Sequence, residues 1–297
     1  MEIKYLILSG GGQNFFNYIG IFKELFKKKA INIENIKSIY GTSSGSLIAV
    51  MLCLKYEWDI IEKYIIERPW DKDFSLTMDN FINLNKNMGL YSSDFFKTIF
   101  KSLLNGKDLS IDLTMKELYN YSDIEIHIYT VELNSFELID ISYKTHPDYK
   151  VLDAIRMSSS YPVFIIPLCD SENCYTDGGL ILNYPINNCI KDNNLNSDED
   201  KDKILGIKFN NISSVNKIND ESSLIDYLRK IISKLSTTIK NDNINDEIIK
   251  NEIVIDFQGF SFETMLDSIT NKNTRIKLLE EGEQFVISFL DKFIIIN

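Results

Sequence analysis

The sequence predicts a three-layer α/β/α fold built on a mainly parallel central sheet. Three observations predict it. Short aliphatic runs recur along the chain, at residues 4–9, 36–40, 204–209 and 253–257 among others. Segments with apolar residues at helical spacing separate them. Two early strand-to-helix junctions are rich in glycine, at residues 10–12 and 41–45. Strands that alternate with helices imply a sheet covered on both faces.

Residues 4–9, KYLILS, read as a buried strand that three glycines terminate. Residues 17–29 follow as a helix, with Ile21, Phe22, Leu25 and Phe26 on one face and a basic last turn that suits a helix C-terminus. A second strand, 36–40, leads into the turn GTSSG, and the nearly all-apolar segment 46–55 reads as a buried helix. Residues 56–120 are expected to form a helical insert that interrupts the α/β alternation. Trp58, Ile61 and Ile65 pattern as a helix that Arg68-Pro69 ends, and 92–104 forms another. Residues 124–133 and 136–141 read as a hairpin around Asn134-Ser135, 148–157 as a helix, and 163–166 as a short strand. The polar run KDNNLNSDEDKDK at 191–203 reads as a solvated surface loop. Beyond it lie strands 204–209 and 253–257, a helix at 222–239 between them, and a long closing helix at 272–293. The expectation is one domain over residues 1–297, with a less typical C-terminal helical part.

Composition narrows the function. The apolar and charged fractions, 44% and 25%, are ordinary for a globular protein. The formal net charge of −11 argues against nucleic-acid binding. It also disfavours strong attraction to anionic membranes, except at a local patch. Cys53, Cys169, Cys174 and Cys189 form no CxxC pair, and His127 and His146 are the only histidines, so no metal site and no cofactor is expected. Free thiols are the simplest reading of the cysteines. The apolar run of MEIKYLILSGGG is too short for a signal peptide, and no segment approaches the roughly 20 apolar residues of a membrane span. The expectation is a soluble protein, cytoplasmic or exported without a classical signal.

Gly41-Thr42-Ser43-Ser44-Gly45 fits G-x-S-x-G. A strand that turns abruptly into a helix holds its middle residue in a strained conformation, and small neighbours let that side chain stand clear. Ser43 is thus the candidate nucleophile, with the helix N-terminus behind it favouring negative charge. No histidine follows His146, and His127 lies inside a strand-like run where a structural role is expected. The candidate base is Asp177, in CYTDGGLILNYP, with Gly178 and Gly179 allowing close approach of the backbone. A carboxylate at its ordinary pKa of about 3.9 is a poor base for an alcohol. Desolvated and held against the hydroxyl, it can serve. Gly10-Gly11-Gly12 can present backbone amides to an anion, either as an oxyanion hole or as a phosphate cradle. The dinucleotide fingerprint fails, because the sixth position from Gly10 is Phe15, and no Walker lysine follows.

These elements, in this order, resemble the patatin-like phospholipases. The resemblance runs from KYLILSGGG through Gly20 and GTSSG to DAIRMSSSYPVFIIPL and YTDGGLILNYP, over roughly residues 4–190. It includes Ala154, Arg156, Ser158, Pro162, Pro167 and the Asn183-x-Pro185 pair. The resemblance implies a patatin-like fold, Ser43 and Asp177 as a two-residue dyad, and an oxyanion hole from Gly11 and Gly12 with Gly10 and Ser44. Gly41, Gly45, Gly178 and Gly179 support the motifs. It implies hydrolysis of lipid acyl esters through an acyl-enzyme, without a metal. The substrate is then a phospholipid or lysophospholipid, met in transient contact with a membrane surface. One departure stands out: the family commonly carries a basic residue and then glycine where this chain has Asn14 and Phe15. Phe15 and Phe16 are expected either to pack in the core or to meet acyl chains. Two other functions stay open, a binding or scaffold protein with little turnover and a phosphate or nucleotide binder.

Overall fold

The computed structural model describes residues 2–74, 77–211, 217–220, 222, 224–243, 247–257 and 262–295. Ten strands form among them: β1 (Tyr5–Leu8), β2 (Ser38–Thr42), β3 (Gly89–Tyr91), β4 (Glu125–Glu132), β5 (Glu137–Ile141), β6 (Val163–Ile165), β7 (Leu168–Cys169), β8 (Cys174–Asp177), β9 (Ile204–Asn211) and β10 (Glu252–Phe257). The main sheet runs β10-β9-β1-β2-β4, with every one of these pairs parallel. β4 then pairs antiparallel with β5 and with β8, and β8 with β7. β3 and β6 form a small parallel sheet of their own. The sheet is therefore mixed, with a parallel centre, and helices flank it: this is the expected α/β fold.

Strand alternation feeds two cores. Leu6 and Leu8 of β1 join Ile39, Ile126, Ile128, Leu205 and Ile207 in the larger core. Tyr5 and Ile7, with Tyr40, Tyr129 and Ile204, point to the other face. A period of two sends successive side chains to opposite faces, so both faces need cover. On the larger core lie helices α1 (Phe15–Lys27) and α2 (Ser44–Cys53), every residue of α2 being buried. The smaller face is covered by the helix Ile186–Asp192, through Ile186 and Cys189.

The closing helix Lys272–Ile295 packs along α1. A Cβ on Gly20 would collide with the Leu279 carbonyl, and one on Gly282 with the Asn17 carbonyl. Two facing glycines thus let these helices approach closely, which gives Gly20 a purely steric role. Lys23 of α1 ties the insert to this pair through Glu62 at 2.7 Å and Glu283 at 2.9 Å. The insert holds six helices among the described residues, from Trp58–Glu67 to Met115–Ser122. Trp58 stacks on Phe22 of α1.

Several expectations need correction. Cys169 and Cys174, directly opposite each other on β7 and β8, form a disulfide instead of free thiols. Cys53 and Cys189 remain free and buried, and burial raises the Cys53 thiol to about 12. The polar run 191–203 is not loop throughout: it begins inside Ile186–Asp192 and contains the short helix Asp198–Lys201, capped by Ser197. The helix expected at 222–239 spans Leu224–Asn243, and residue 223 of that expectation lies outside the described residues.

Candidate active site

Ser43 sits between the end of β2 and the start of α2 with φ 53° and ψ −123°. This left-handed, strained geometry is the signature of a nucleophile elbow. Its neighbours must be small. A Cβ on Gly41 would lie 2.8 Å from the Gly45 carbonyl oxygen, and one on Gly45 would strike the Leu8 carbonyl. The elbow is held from outside as well. The Ser43 amide donates to Ser158 Oγ at 2.8 Å, Ser46 Oγ donates to the Ser43 carbonyl at 2.6 Å, and Thr42 Oγ1 donates to the Leu182 carbonyl at 3.0 Å.

Strand register explains how Asp177 reaches this point. β4 has two edges. β2 and β5 both pair with Ile128 and Tyr129, so they occupy opposite edges. β5 and β8 both pair with residues 130–132, so they too are opposed. β2 and β8 therefore share one edge and meet end to end. Thr42 partners Tyr129, and Asp177 partners the next residue, Thr130. Adjacent rungs lie about 3.3 Å apart along a strand. The residue after Thr42 and the last residue of β8 thus converge on one spot. A Cβ on Gly178 would collide with the Tyr129 carbonyl, so glycine is required where the chain turns against β4. Asp177 is 4% exposed, its amide donates to the Ser160 carbonyl at 3.1 Å, and its Oδ1 accepts the Gly179 amide at 2.7 Å.

The glycine loop lies beside both. The Gly10 amide donates to the Asn183 carbonyl at 3.2 Å, and Asn183 Nδ2 donates back to the Gly10 carbonyl at 3.0 Å. A Cβ on Gly10 would lie 3.0 Å from Ser43 Cβ and 2.6 Å from Asn183 Oδ1. One on Gly179 would lie 2.7 Å from the same Oδ1 and 2.9 Å from Asp177 Oδ1. Asn183 is thus wedged between the glycine loop and the Asp177 turn. The Gly11 amide donates to Ser44 Oγ at 2.9 Å. Of the four expected oxyanion donors, Gly10 and Gly11 are therefore engaged within the protein. The amides of Gly12 and Ser44 make no hydrogen bond among the described residues. Gly12 adopts φ 56°, and Ser44 opens the first turn of α2, whose N–H groups have no intrahelical acceptor. Asn14 does not replace the cation it stands for. It is 4% exposed and its Nδ2 meets no acceptor among the described residues.

Ser43, Asp177, Gly179, Ser44 and the three glycines all border one cavity of about 540 Å³. Its remaining wall is largely apolar and aromatic: Leu47, Trp70, Phe74, Phe95, Phe96 and Phe164 contribute. Phe15 and Phe16 are buried, as expected of core residues, and they also line this cavity, edge-on to Trp70. Lys208 of β9 borders the same space, its ammonium 5.0 Å from the Tyr184 ring.

Neither histidine lines the cavity. His127 is buried, stacks on Tyr40, and shares its ring nitrogens between Asp140 at 2.8 Å and Glu125 at 3.3 Å. Burial opposes its protonation, but the hydrogen bonds to Asp140 and Glu125 outweigh it and lift the imidazole to about 9. His127, Asp140 and Asp192 are the described residues whose ligand atoms cluster tightly enough for a metal, within 4.8 Å of one another. In this state the imidazole is already held by two carboxylates. Sequence reasoning did not assign roles to Asn183, Ser158 or Ser160. Their motif membership was visible, while the partners of Asn183 and Ser158 lie 173 and 115 positions away.

A family model described as patatin-like phospholipase matches residues 6–190. The chain is 32% identical over 223 residues to an uncharacterised protein of Acanthamoeba polyphaga mimivirus, across 75% of this chain and 69% of that one. It is 27% identical over 241 residues to a "probable lipid hydrolase" of Invertebrate iridescent virus 6, across 74% of this chain and 80% of that one. Among solved structures it is similar to VipD from Legionella pneumophila, with a TM-score of 0.49 and 14% identity over 95% of this chain and 67% of that one. It is likewise similar to the type III effector ExoU of Pseudomonas aeruginosa, with a TM-score of 0.49 and 12% identity over 98% of this chain. The match spans 53% of the ExoU chain, about half its length. The family match extends over more than half of the chain and takes in both strand ends that meet at β4: this chain belongs to the patatin-like phospholipase family.

Proposed function

We propose that this chain is a lipid acyl hydrolase with Ser43 as nucleophile and Asp177 as its base. The observation that carries this reading is the convergence of a strained serine and a buried carboxylate on the wall of one apolar cavity. Its volume falls in the range of about 300–1,000 Å³ usual for small-molecule sites. The aromatic wall suits an acyl chain, and the relative in Invertebrate iridescent virus 6 is described as a "probable lipid hydrolase".

The proposed reaction uses these groups in turn. The Gly179 amide holds Asp177 through its Oδ1. Ser43 Oγ attacks the ester carbonyl carbon as its proton passes to Asp177. The Gly12 and Ser44 amides receive the oxyanion, each donor being worth about 3–4 kcal/mol in related chemistry. The intermediate collapses, the alcohol leaves with the proton from Asp177, and the acyl group stays on Ser43. Water then gives a proton to Asp177 and attacks the acyl-enzyme. The fatty acid departs, and Ser43 Oγ recovers its proton. The substrate is a phospholipid or lysophospholipid, and Lys208 supplies the cation that the glycine loop lacks. Hydrolysis of phospholipid and p-nitrophenyl esters by the wild type and by Ser43→Ala tests this. Undiminished turnover by Ser43→Ala would refute it.

A second reading, a catalytically weak scaffold, draws on the engaged Gly10 and Gly11 amides and on Asn14. An activated serine reacts with a fluorophosphonate and an inert one does not, which separates the two.

A further inference from the structure

The helix Leu224–Asn243 forms one side of the cavity, yet its outer face is exposed among the described residues. Ile232, Ser233, Ser236 and Thr237 border the cavity. Ser236 Oγ donates to the Gly179 carbonyl at 3.0 Å, and Gly179 in turn holds Asp177. On the opposite side Leu224, Tyr227, Ile231 and Leu235 are 72%, 50%, 38% and 58% exposed. Their spacing of three, four and four residues puts them within an arc of about 80° at 3.6 residues per turn. The cavity residues centre on the opposite arc. Lys230 and Lys234 fall beside the apolar stripe, on its Tyr227 flank. In sequence the helix carries Arg229, Lys230, Lys234 and Lys240 against Asp226 and Asp242, a basic segment in a chain of net charge −11.

We propose that this helix is a lipid-surface docking element: its stripe of Leu224, Tyr227, Ile231 and Leu235 enters the headgroup boundary of an anionic bilayer, with Lys230 and Lys234 against the phosphates. The proposal rests on the lipid hydrolase reading, because it gives the cavity behind the helix a route to its substrate. Three features select a membrane over a second copy of the chain. The stripe is four side chains wide, while a stable protein interface buries about 800 Å² per partner across about 20–30 residues. A basic flank beside an apolar stripe matches an anionic lipid surface. The element is continuous with the cavity wall through Ile232 and Ser236. Docking also reaches the Asp177 turn directly, through the Ser236–Gly179 hydrogen bond.

Vesicle flotation of the Ser43→Ala protein tests docking apart from hydrolysis. It is expected to float with phosphatidylcholine–phosphatidylglycerol vesicles and about tenfold less with phosphatidylcholine alone. Adding Leu224→Glu and Leu235→Glu should reduce flotation by a further factor of about ten. In the wild-type background the same pair should lower hydrolysis of vesicle phospholipid about tenfold and leave turnover of monomeric p-nitrophenyl butyrate within about twofold. Undiminished flotation of the Leu224→Glu, Leu235→Glu protein would overturn the proposal. So would equal loss of both activities, or a wild-type dimer in sedimentation velocity that these substitutions dissociate. Absence of any ester turnover by the wild type would remove the hydrolase reading alone, since flotation is read without it.

Discussion

Ser43 and Asp177 were legible because their chemistry is local. A hydroxyl between two glycines at a strand-to-helix junction, and an acid before two glycines at a strand end, declare themselves within a few residues. Asn183 did not. Its contacts to Gly10 span 173 positions, and those of Ser158 to Ser43 span 115, so no window of sequence contains them. The engaged state of the Gly11 amide was equally hidden, because it depends on the Ser44 rotamer. Asp177→Asn keeps the side chain's size and removes its basicity. Hydrolysis should fall by about 10²–10⁴-fold with little change in melting temperature. Retained activity in Asp177→Asn would show that another group takes the proton. Asn183→Ala removes the wedge between the glycine loop and the Asp177 turn. It should lower kcat by about 10–100-fold while KM shifts less than threefold, as expected of misplacement rather than lost binding. An effect on KM alone would assign Asn183 to substrate contact instead.

Among elements, the central strands were readable as apolar runs, and the glycine-rich ends of β1 and β2 marked the site. The small elements β3 and β7 were not, because strands of two or three residues carry too little periodicity to separate from loop. The Cys169–Cys174 disulfide was missed for a related reason: it needs β7 and β8 to pair, and a two-residue strand gives no sequence signal. Gly20 was visible as a motif glycine, and the packing of α1 on Lys272–Ile295 supplies its cause. Gly282→Val would push a branched side chain into the Asn17 carbonyl. It should destabilise the protein by about 1–3 kcal/mol in urea unfolding, within the range of overpacked cores. An unchanged midpoint would mean that the two helices separate without cost.

Across the whole molecule, the two faces of the sheet do different work. The larger core and the insert build the cavity, while the smaller face buries His127 among acids. The imidazole's raised value of about 9, against 6.5 when unfolded, gives a definite pH dependence. The folded protein binds the extra proton, so this stabilisation is full below pH 6.5 and is lost as pH rises through about 9. It amounts to at most about 3 kcal/mol. The urea midpoint of the wild type should therefore fall across that window relative to His127→Gln, whose own profile lacks the step. Parallel profiles would show that the two carboxylates do not hold the proton. On the proposed reading, the register of β4 makes this fold a catalyst, because it lets β2 and β8 meet end to end. That claim is tested most directly by intact-protein mass after reaction with a fluorophosphonate. One adduct is predicted, located on Ser43 and formed far more slowly in Asp177→Asn. An adduct on another residue, or an unlabelled Ser43 in a protein that still hydrolyses lipid, would contradict the account.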